Sequence, residues 1–334
     1  MVTAGLRERV HGAVFGQAIG DALGAPTEGM SRSAIKSTYG WISDFLSDDQ
    51  AGTDDSEYAA LSAQILLRYG PSVTLDDVSA EWTRVLVRQE GGFVHGGFSE
   101  MDAIHNLERG LRAPASGEDN HELWSDGSAM RVAPIGAYCA GDPVEAARLA
   151  GIDASVSHAR DGIWCGQAIA AAVAAATVAT DWREVVAAGL AAVPADSWSA
   201  RMIARAVQIA DGPGSVEERI DALESAIAIR HYPFADVAPE ATALAFGAFA
   251  IAHGDYRAAV LTATNIGRDA DTIAAMAGAM AGALGGINSI PIEWRGHVQT
   301  LRGECIKAMA GLDLAQLADA IADAAESRSS AVAK

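Results

Sequence analysis

The stretch His11-Gly12-Ala13-Val14-Phe15-Gly16-Gln17-Ala18-Ile19-Gly20-Asp21-Ala22-Leu23-Gly24 places a glycine at every fourth position, and near the other end Gly278, Gly282 and Gly286 repeat the spacing. Residues four apart share one face of an α-helix, so each stretch reads as a helix with a stripe bare of side chains. An interior glycine costs a helix about 1 kcal/mol relative to alanine, and the stripe is explained if it lets another backbone come close. The two stripes can face each other, which would bring the ends of the chain together in the core, or each can meet a different helix. The competing explanation is a general bias toward small residues, since the chain contains 34 glycines.

Helical periodicity extends outward from these stretches. Leu75, Val78, Trp82, Val85 and Leu86 follow a Thr74-x-x-Asp77 start, the pattern of an amphipathic helix behind its cap. Comparable readings cover 6–23, 55–69, 144–151, 162–180, 182–192, 197–211, 215–230, 238–252, 256–264, 272–285 and 313–325, with Ser215-x-x-Glu218 a capping box. No run alternates β-branched residues, no unit repeats at a fixed period, and no linker divides the chain. The prediction is one all-α domain over residues 1–325, then a tail, 326–334, that lacks an apolar face and is expected to fray.

Half of the 334 residues are hydrophobic and only 6% aromatic, so a large core must be built from Ala, Val, Leu and Ile. With 24 Lys plus Arg against 43 Asp plus Glu, the formal charge of −19 argues against nucleic acid or an anionic membrane as a partner. Residues 273–287 form the most apolar run and are too few to span a bilayer. Residues 1–9 mix an acid among bases without the apolar core of a signal peptide, and Cys139, Cys165 and Cys305 show no paired spacing. Both features predict a cytoplasmic protein.

Three acidic clusters sit among small residues: Glu28 after Gly24-Ala25-Pro26-Thr27, the run Thr53-Asp54-Asp55-Ser56, and Asp269-Ala270-Asp271-Thr272. Carboxylates mixed with Thr hydroxyls form a hard, all-oxygen donor set suited to Mg²⁺, Mn²⁺ or Ca²⁺ rather than zinc. Taken singly, each has a structural explanation. Asp54-x-x-Glu57 fits a capping box, Asp271 fits an N-cap, and Glu28 fits a solvated turn. Taken together, adjacent aspartates at two helix starts cannot all satisfy the same backbone donors, and their repulsion calls for a cation.

The ordered blocks that run from Gly16-Gln17-Ala18-Ile19-Gly20-Asp21-Ala22-Leu23-Gly24-Ala25-Pro26-Thr27-Glu28 through Thr53-Asp54-Asp55-Ser56, Ser125-Asp126-Gly127-Ser128-Ala129-Met130-Arg131-Val132-Ala133-Pro134-Ile135-Gly136, His158 and Gly267-Arg268-Asp269-Ala270-Asp271-Thr272 make the sequence resemble the ADP-ribosylglycohydrolase family. The resemblance, covering residues 10 to about 290, implies an orthogonal helical bundle holding two Mg²⁺ or Mn²⁺ ions that fix the ribose of an ADP-ribosyl group. Carried over by position, it implies Thr53, Asp54, Asp55, Asp269, Asp271 and Thr272 as metal ligands. It places Glu28 at or beside the centre in a flexible loop that can gate it. It sets Ser125, Asp126, Gly127 and Met130 along the substrate channel with His158 nearby. Cleaving an N-glycosidic bond needs a positioned water, a carboxylate to take its proton and help for the departing nitrogen; Asp55 and Glu28 are the candidates, and a metal-activated water could replace either.

Two positions depart from the family pattern. Ser56 keeps a hydroxyl where Thr is usual, and Arg268 stands where a second Gly is common. A long cation there either pairs with a nearby carboxylate or reaches a substrate anion, and either narrows the site against protein-linked substrates; held beside the centre by Asp269 and Asp271, Arg268 is placed in the substrate-binding set. Hydrolysis of a small free riboside or nucleotide derivative is therefore the alternative activity. A non-catalytic ADP-ribose-binding or structural relative is a second alternative, opposed by the intact ligand set. The other histidines (His11, His95, His105, His121, His231, His253 and His297) lack a Ser or Cys partner. The run Gly91-Gly92-Phe93-Val94-His95-Gly96-Gly97-Phe98 lacks the Lys-Ser/Thr ending of a phosphate loop and reads as a loop rimming the cleft. Arg131 fits a catalytic role and a buried ion pair equally well.

Overall fold

The computed structural model describes residues 5–93 and 96–332; Val94 and His95 of the glycine-rich run lie outside the described residues. Eighteen α-helices and no strand occur among the described residues. The first helix, Leu6–Gly24, and the late helix Ala270–Gly285 run antiparallel in direct backbone contact. A Cβ added at Gly12, Gly16, Gly20 or Gly24 would stand 2.0, 2.3, 2.1 or 2.3 Å from the carbonyl oxygen of Gly282, Gly278, Ala274 or Ala270 respectively. The two glycine stripes therefore face each other, and composition bias does not explain them. Four successive turns of backbone meet with no side chain between, and the ends of the chain lie together at the centre.

Around this pair the core uses small residues on helices that are apolar all round, as fully enclosed helices must be. Every residue of Ala238–Ile251 is buried, and Asp161–Ala176 and Ala270–Gly285 are buried on most of their surface. Large side chains fill the gaps, among them Trp82, Trp294, Tyr58, Tyr256, Phe246 and Phe249. The capping boxes at Thr74 and Ser215 form as expected, each hydroxyl accepting from the backbone N–H three residues on. The one expected at Asp54-x-x-Glu57 does not. Thr53 is the N-cap residue of Asp54–Tyr69, and the buried Glu57 carboxylate accepts the N–H groups of Glu304, Cys305 and Ile306 instead.

Short helices and those with a weak apolar period escape a sequence reading. Arg32–Tyr39 buries only Arg32 and Ile35, and Phe98–Glu108 begins behind a glycine N-cap that offers no side-chain signal. The tail differs from expectation too: the last helix runs Leu314–Val332, past the point where fraying was predicted. Its early turns bury Leu314, Leu317, Ala318, Ile321, Ala322 and Ala325, while Arg7 reaches Asp319, Asp323 and Glu326 and Arg328 lies over the Tyr138 ring. Charged contacts to the rest of the molecule thus replace the apolar face the tail lacks. No helix among the described residues is long and apolar enough to cross a membrane. The three cysteines are buried.

Candidate active site

Two helix starts converge at the end of the central pair. Asp54–Tyr69 opens with Thr53 as N-cap, Ala270–Gly285 opens with Asp269, and neither N-cap side chain caps its own helix. Between them the first helix contributes Asp21, fully buried, a residue of the first matching block to which the resemblance assigns no role. Asp21 accepts from the Thr53 N–H and hydroxyl and from the Ser56 N–H and hydroxyl. Ser56, the conservative departure, therefore keeps its function as a donor.

Carboxylate oxygens of Asp21, Asp55 and Asp271 lie within 4.8 Å of one another, and so do those of Glu28, Asp269 and Asp271. Asp271 belongs to both groups. The Thr272 hydroxyl donates to Asp55 Oδ1 at 2.9 Å, and the Thr272 N–H donates to Asp271 Oδ1 at 3.0 Å. Asp55, Asp269 and Asp271 are buried, and burial followed by the charge of neighbouring carboxylates pushes each well above the ordinary aspartate range. Burial also pushes Asp21 up, to about 7, against the pull of its hydroxyl and N–H donors. Crowded acids of this kind, all oxygen and without His or Cys, fit a hard divalent ion: a cation would meet ready-made donors and relieve the repulsion that now holds protons on them.

Glu28 follows a short 3₁₀ turn, Ala25–Thr27, and reaches the same centre from an exposed rim position. Desolvation in the cleft and the charge of Asp54 push its carboxyl up. Its backbone is tied rather than loose: Gly29 N–H donates to the Arg268 carbonyl at 2.7 Å, Arg268 N–H donates to the Met30 carbonyl at 2.8 Å, and the Thr27 hydroxyl donates to the Gly24 carbonyl. This zipper along Gly267 and Arg268, both at positive φ, ties the backbone next to Glu28 to the segment that leads into Ala270–Gly285.

Over this floor opens a cavity of about 440 Å³. Asp54, Asp55, Asp269, Asp271 and Thr272 line it together with Glu28, and so do Ser125, Asp126, Gly127 and Met130 from the expected channel. Three predicted site residues do not line it. The Thr53 hydroxyl is engaged with Asp21. His158 is fully buried behind Ser125, its Nε2 3.0 Å from the Ser125 hydroxyl, and burial followed by the charge of Arg131 lowers its pKa. Arg268 turns away from Asp269 and Asp271. Its guanidinium pairs with the fully buried Glu240 and donates to the Phe234 carbonyl at 3.2 Å, because the left-handed backbone at φ 63° aims the side chain toward that helix. The expected reach toward a substrate anion is thus replaced by a structural ion pair. Arg131 likewise is buried and bonded to Glu100 and Asp153, which decides between its two readings.

The cavity also has walls that no motif announced: Glu100 and Phe98 at the start of Phe98–Glu108, and Pro233, Phe234 and Asp236 from the segment before Ala238–Ile251. Asp236 is tied to the channel block by the Asp126 N–H, which donates to its carbonyl at 3.0 Å. An acid at the third position of a helix that follows a glycine run was the available signal for Glu100.

Comparison with known proteins agrees with this architecture. An uncharacterized protein of Archaeoglobus fulgidus is 33% identical over 303 residues, covering 86% of this chain and 91% of that relative. The uncharacterized protein YegU of Escherichia coli is 27% identical over 314 residues, covering 85% and 89%. A solved structure described as an ADP-ribosylglycohydrolase-related protein complex superposes with a TM-score of 0.67 at 23% identity, over 96% of this chain and 99% of that one, and so shares the fold. The sequence profile named ADP-ribosylglycohydrolase matches residues 2–330, nearly the entire length, and the chain belongs to that family.

Proposed function

We propose that the protein is a hydrolase that holds two Mg²⁺ or Mn²⁺ ions and cleaves the N-glycosidic bond of an ADP-ribosyl or related ribosyl substrate. The observation that supports this most directly is the double membership of Asp271, because a side chain shared by two carboxylate groups is what a pair of neighbouring ions requires. Asp54, Asp55, Asp269, Asp271 and Thr272 would hold the ions, with Thr53 at the edge of the set and Asp21 orienting it from behind. Bound there, divalent ions supply positive charge that fixes vicinal hydroxyls and acidifies water.

The chain's own residues then carry the proton chemistry. As water adds to the anomeric carbon, a C–O bond forms, the C–N bond breaks and its electron pair leaves with the nitrogen, which takes up a proton, so that the water's hydrogens end on the new hydroxyl and on the departing nitrogen. Glu28 stands at the rim where water reaches it, and its raised carboxyl suits accepting the proton that water gives up. Asp55 is enclosed and already accepts the Thr272 hydroxyl, which fits it better to holding an ion than to exchanging protons, although its carboxylate faces the same space. The buried carboxylates around the floor favour the positive charge that develops on the sugar in the transition state.

Calorimetric titration with Mn²⁺, followed by a screen of ribosides and ADP-ribosylated arginine peptides, tests the reading. Two ions in the wild type, a loss of at least one in Asp271→Asn, and ribosyl hydrolysis only with metal are expected. Unchanged stoichiometry in the variant would refute the ligand assignment, and metal binding without cleavage of any ribosyl N-glycoside would refute the activity.

A further inference from the structure

Three parts of the cleft come from distant stretches of the chain and meet at one residue. The floor stands on the start of Ala270–Gly285, the rim on the segment that carries Glu28, and one wall on the consecutive residues Pro233, Phe234, Ala235 and Asp236. Arg268 joins the floor to the rim through its backbone. Its N–H donates to the Met30 carbonyl at 2.8 Å and its carbonyl accepts the Gly29 N–H at 2.7 Å, and the next residue is Asp269, the N-cap of the floor helix. The two segments touch without a side chain between them, since a Cβ at Gly267 would stand 2.3 Å from the Met30 carbonyl oxygen.

The side chain of Arg268 joins the wall to both. It reaches the connection 228–237 between the helices Val216–Ile227 and Ala238–Ile251. Nε donates to Glu240 Oε1, and the other Glu240 oxygen accepts the Ile229 N–H at 2.6 Å. Nη2 donates to the Phe234 carbonyl at 3.2 Å and to the Ile229 carbonyl at 3.5 Å. Ile229 is thus held by both of its backbone groups, and two carbonyls five positions apart are drawn to one nitrogen, which closes the turn between them. A planar guanidinium can do this because its nitrogens are separate donors, one serving the carboxylate and another the carbonyls.

Other ties on this connection lie at its far end or on side chains. The Asp236 carbonyl accepts the Asp126 N–H at 3.0 Å, and the Ala238 N–H donates to the Trp124 carbonyl at 3.1 Å. The Tyr232 hydroxyl donates to Glu122 at 3.3 and 3.4 Å, and the Phe234 ring meets Phe98 across the mouth with centroids 5.1 Å apart. Among the described residues, the Phe234 carbonyl is the one backbone group between positions 230 and 235 that bonds outside the connection, and Arg268 is its partner. Phe234 is nevertheless exposed at the tip of the turn, so the placement of this wall depends on a tie from beneath rather than on burial.

We propose that Arg268 is a positioning residue: it holds the wall 233–236 in a fixed place relative to the floor and the Glu28 rim, and so sets the width of the cleft. Glycine, common at this position in the family, keeps the backbone ties and loses the wall. This rests on the reading of the cleft as the active site. Hydrogen exchange read by mass spectrometry, in Mn²⁺, tests it on the wild type, Arg268→Gly and Gly16→Ala, a core variant far from this wall. In Arg268→Gly the amides of Ile229 and Tyr232, and that of Asp126 bonded to Asp236, should exchange at least about ten-fold faster, the factor for loss of a charge-assisted hydrogen bond, while the buried helix Asp161–Ala176 lags behind them. Gly16→Ala should not single out these amides. ADP-ribose, a product of ADP-ribosyl hydrolysis, should bind Mn²⁺-loaded Arg268→Gly about five-fold more weakly than wild type at unchanged Mn²⁺ stoichiometry, because the wall must then be ordered at each binding event. Exchange at 229–232 that stays at the wild-type rate, or that rises only in step with Asp161–Ala176, overturns the inference, and so does fast exchange with unchanged ADP-ribose affinity. Arg268→Lys serves if the glycine variant does not fold: it keeps a cation beside Glu240 with one nitrogen in place of the fork, and wild-type protection of the same amides in it overturns the inference as well. Failure of ADP-ribose to bind the Mn²⁺-loaded wild type counts against the ribosyl reading alone, and exchange still decides the role of Arg268.

Discussion

Arg268→Gly, which restores the residue common in the family, sets two structural terms against each other. In the protein Arg268 has φ 63° and a side chain 12% exposed, paired with a Glu240 side chain that is wholly buried. Removing one partner of a buried pair costs about 3–5 kcal/mol, because the other charge is left behind in a poor environment. Glycine recovers part of this, since a side chain in the left-handed region costs about 1–2 kcal/mol. The net expectation is a loss of about 1–4 kcal/mol, the difference between those two ranges. Arg268→Ala, which loses the pair and keeps the backbone cost, should be the less stable of the two by about 1–2 kcal/mol. Denaturant unfolding of both variants, in chelator so that metal linkage does not enter, measures the two terms separately. In a Glu240→Gln background the cost of Arg268→Gly should shrink, as no buried charge is then abandoned. A glycine variant as stable as the wild type would refute the assignment of Arg268 as a structural partner, and glycine and alanine variants of equal stability would refute the backbone cost.

Three further outcomes follow from the same geometry. If the proposed ligand set is right, Asp269→Ala and Asp271→Ala should each abolish or halve Mn²⁺ binding in calorimetry while circular dichroism shows the helices retained, because these two acids sit at a helix start and the core lies elsewhere. Gly16→Ala should destabilise the protein despite a helix-propensity gain of about 1 kcal/mol, since its Cβ would stand 2.3 Å from the Gly278 carbonyl oxygen and overpacking costs about 1–3 kcal/mol or more; a raised melting temperature would contradict the close approach. For pH, the buried aspartates have folded-state pKa values above their unfolded ones, with Asp21 pushed up to about 7, so the native state holds more protons than the unfolded chain between the ordinary aspartate range and neutrality. Metal-free protein should therefore gain stability as pH falls from about 7 toward 5, and the stabilisation by Mn²⁺, which competes with those protons, should be larger at pH 8 than at pH 5.5 in thermal unfolding.

What the sequence displayed and what it hid divide along a physical line. The glycine stripes were legible because a four-residue spacing is local and the partner surface is the same motif at the other end of the chain. The aspartates at the starts of Asp54–Tyr69 and Ala270–Gly285 were legible as an oxygen donor set because adjacent acids in a helix's first turn outnumber the backbone donors they could cap. Partners set by tertiary structure were not. Glu57 looked like a capping residue and is instead the acceptor for three N–H groups some 250 positions away. Arg268 was read toward its sequence neighbours, whereas its partner lies on the helix that begins at Ala238. Asp21 carries no local signal beyond being an acid in an apolar helix, and the aromatic mouth joins Phe98 to Phe234 across 136 positions.

The same crowding that hides Asp21 makes this end of the fold suited to cations. Six carboxylates, from Asp21, Glu28, Asp54, Asp55, Asp269 and Asp271, gather where two helix N-termini meet. Each N-terminus contributes about half a positive charge, so the pair offsets roughly one of the six. Hydrogen bonds from Thr53, Ser56 and Thr272 lower the cost of individual oxygens but bring no net charge. Without metal, protons meet the balance, as burial first and neighbouring charge second push these acids up. One divalent ion would still leave about three charges unbalanced by the same count, whereas two leave about one, close to what the hydroxyl and N–H donors can solvate. The glycine stripe belongs to this arrangement. Only by letting the first helix lie backbone to backbone on Ala270–Gly285 can Asp21 come within reach of both Thr53 and Asp271, so the packing that costs helix propensity along four turns is also what closes the donor set at their end.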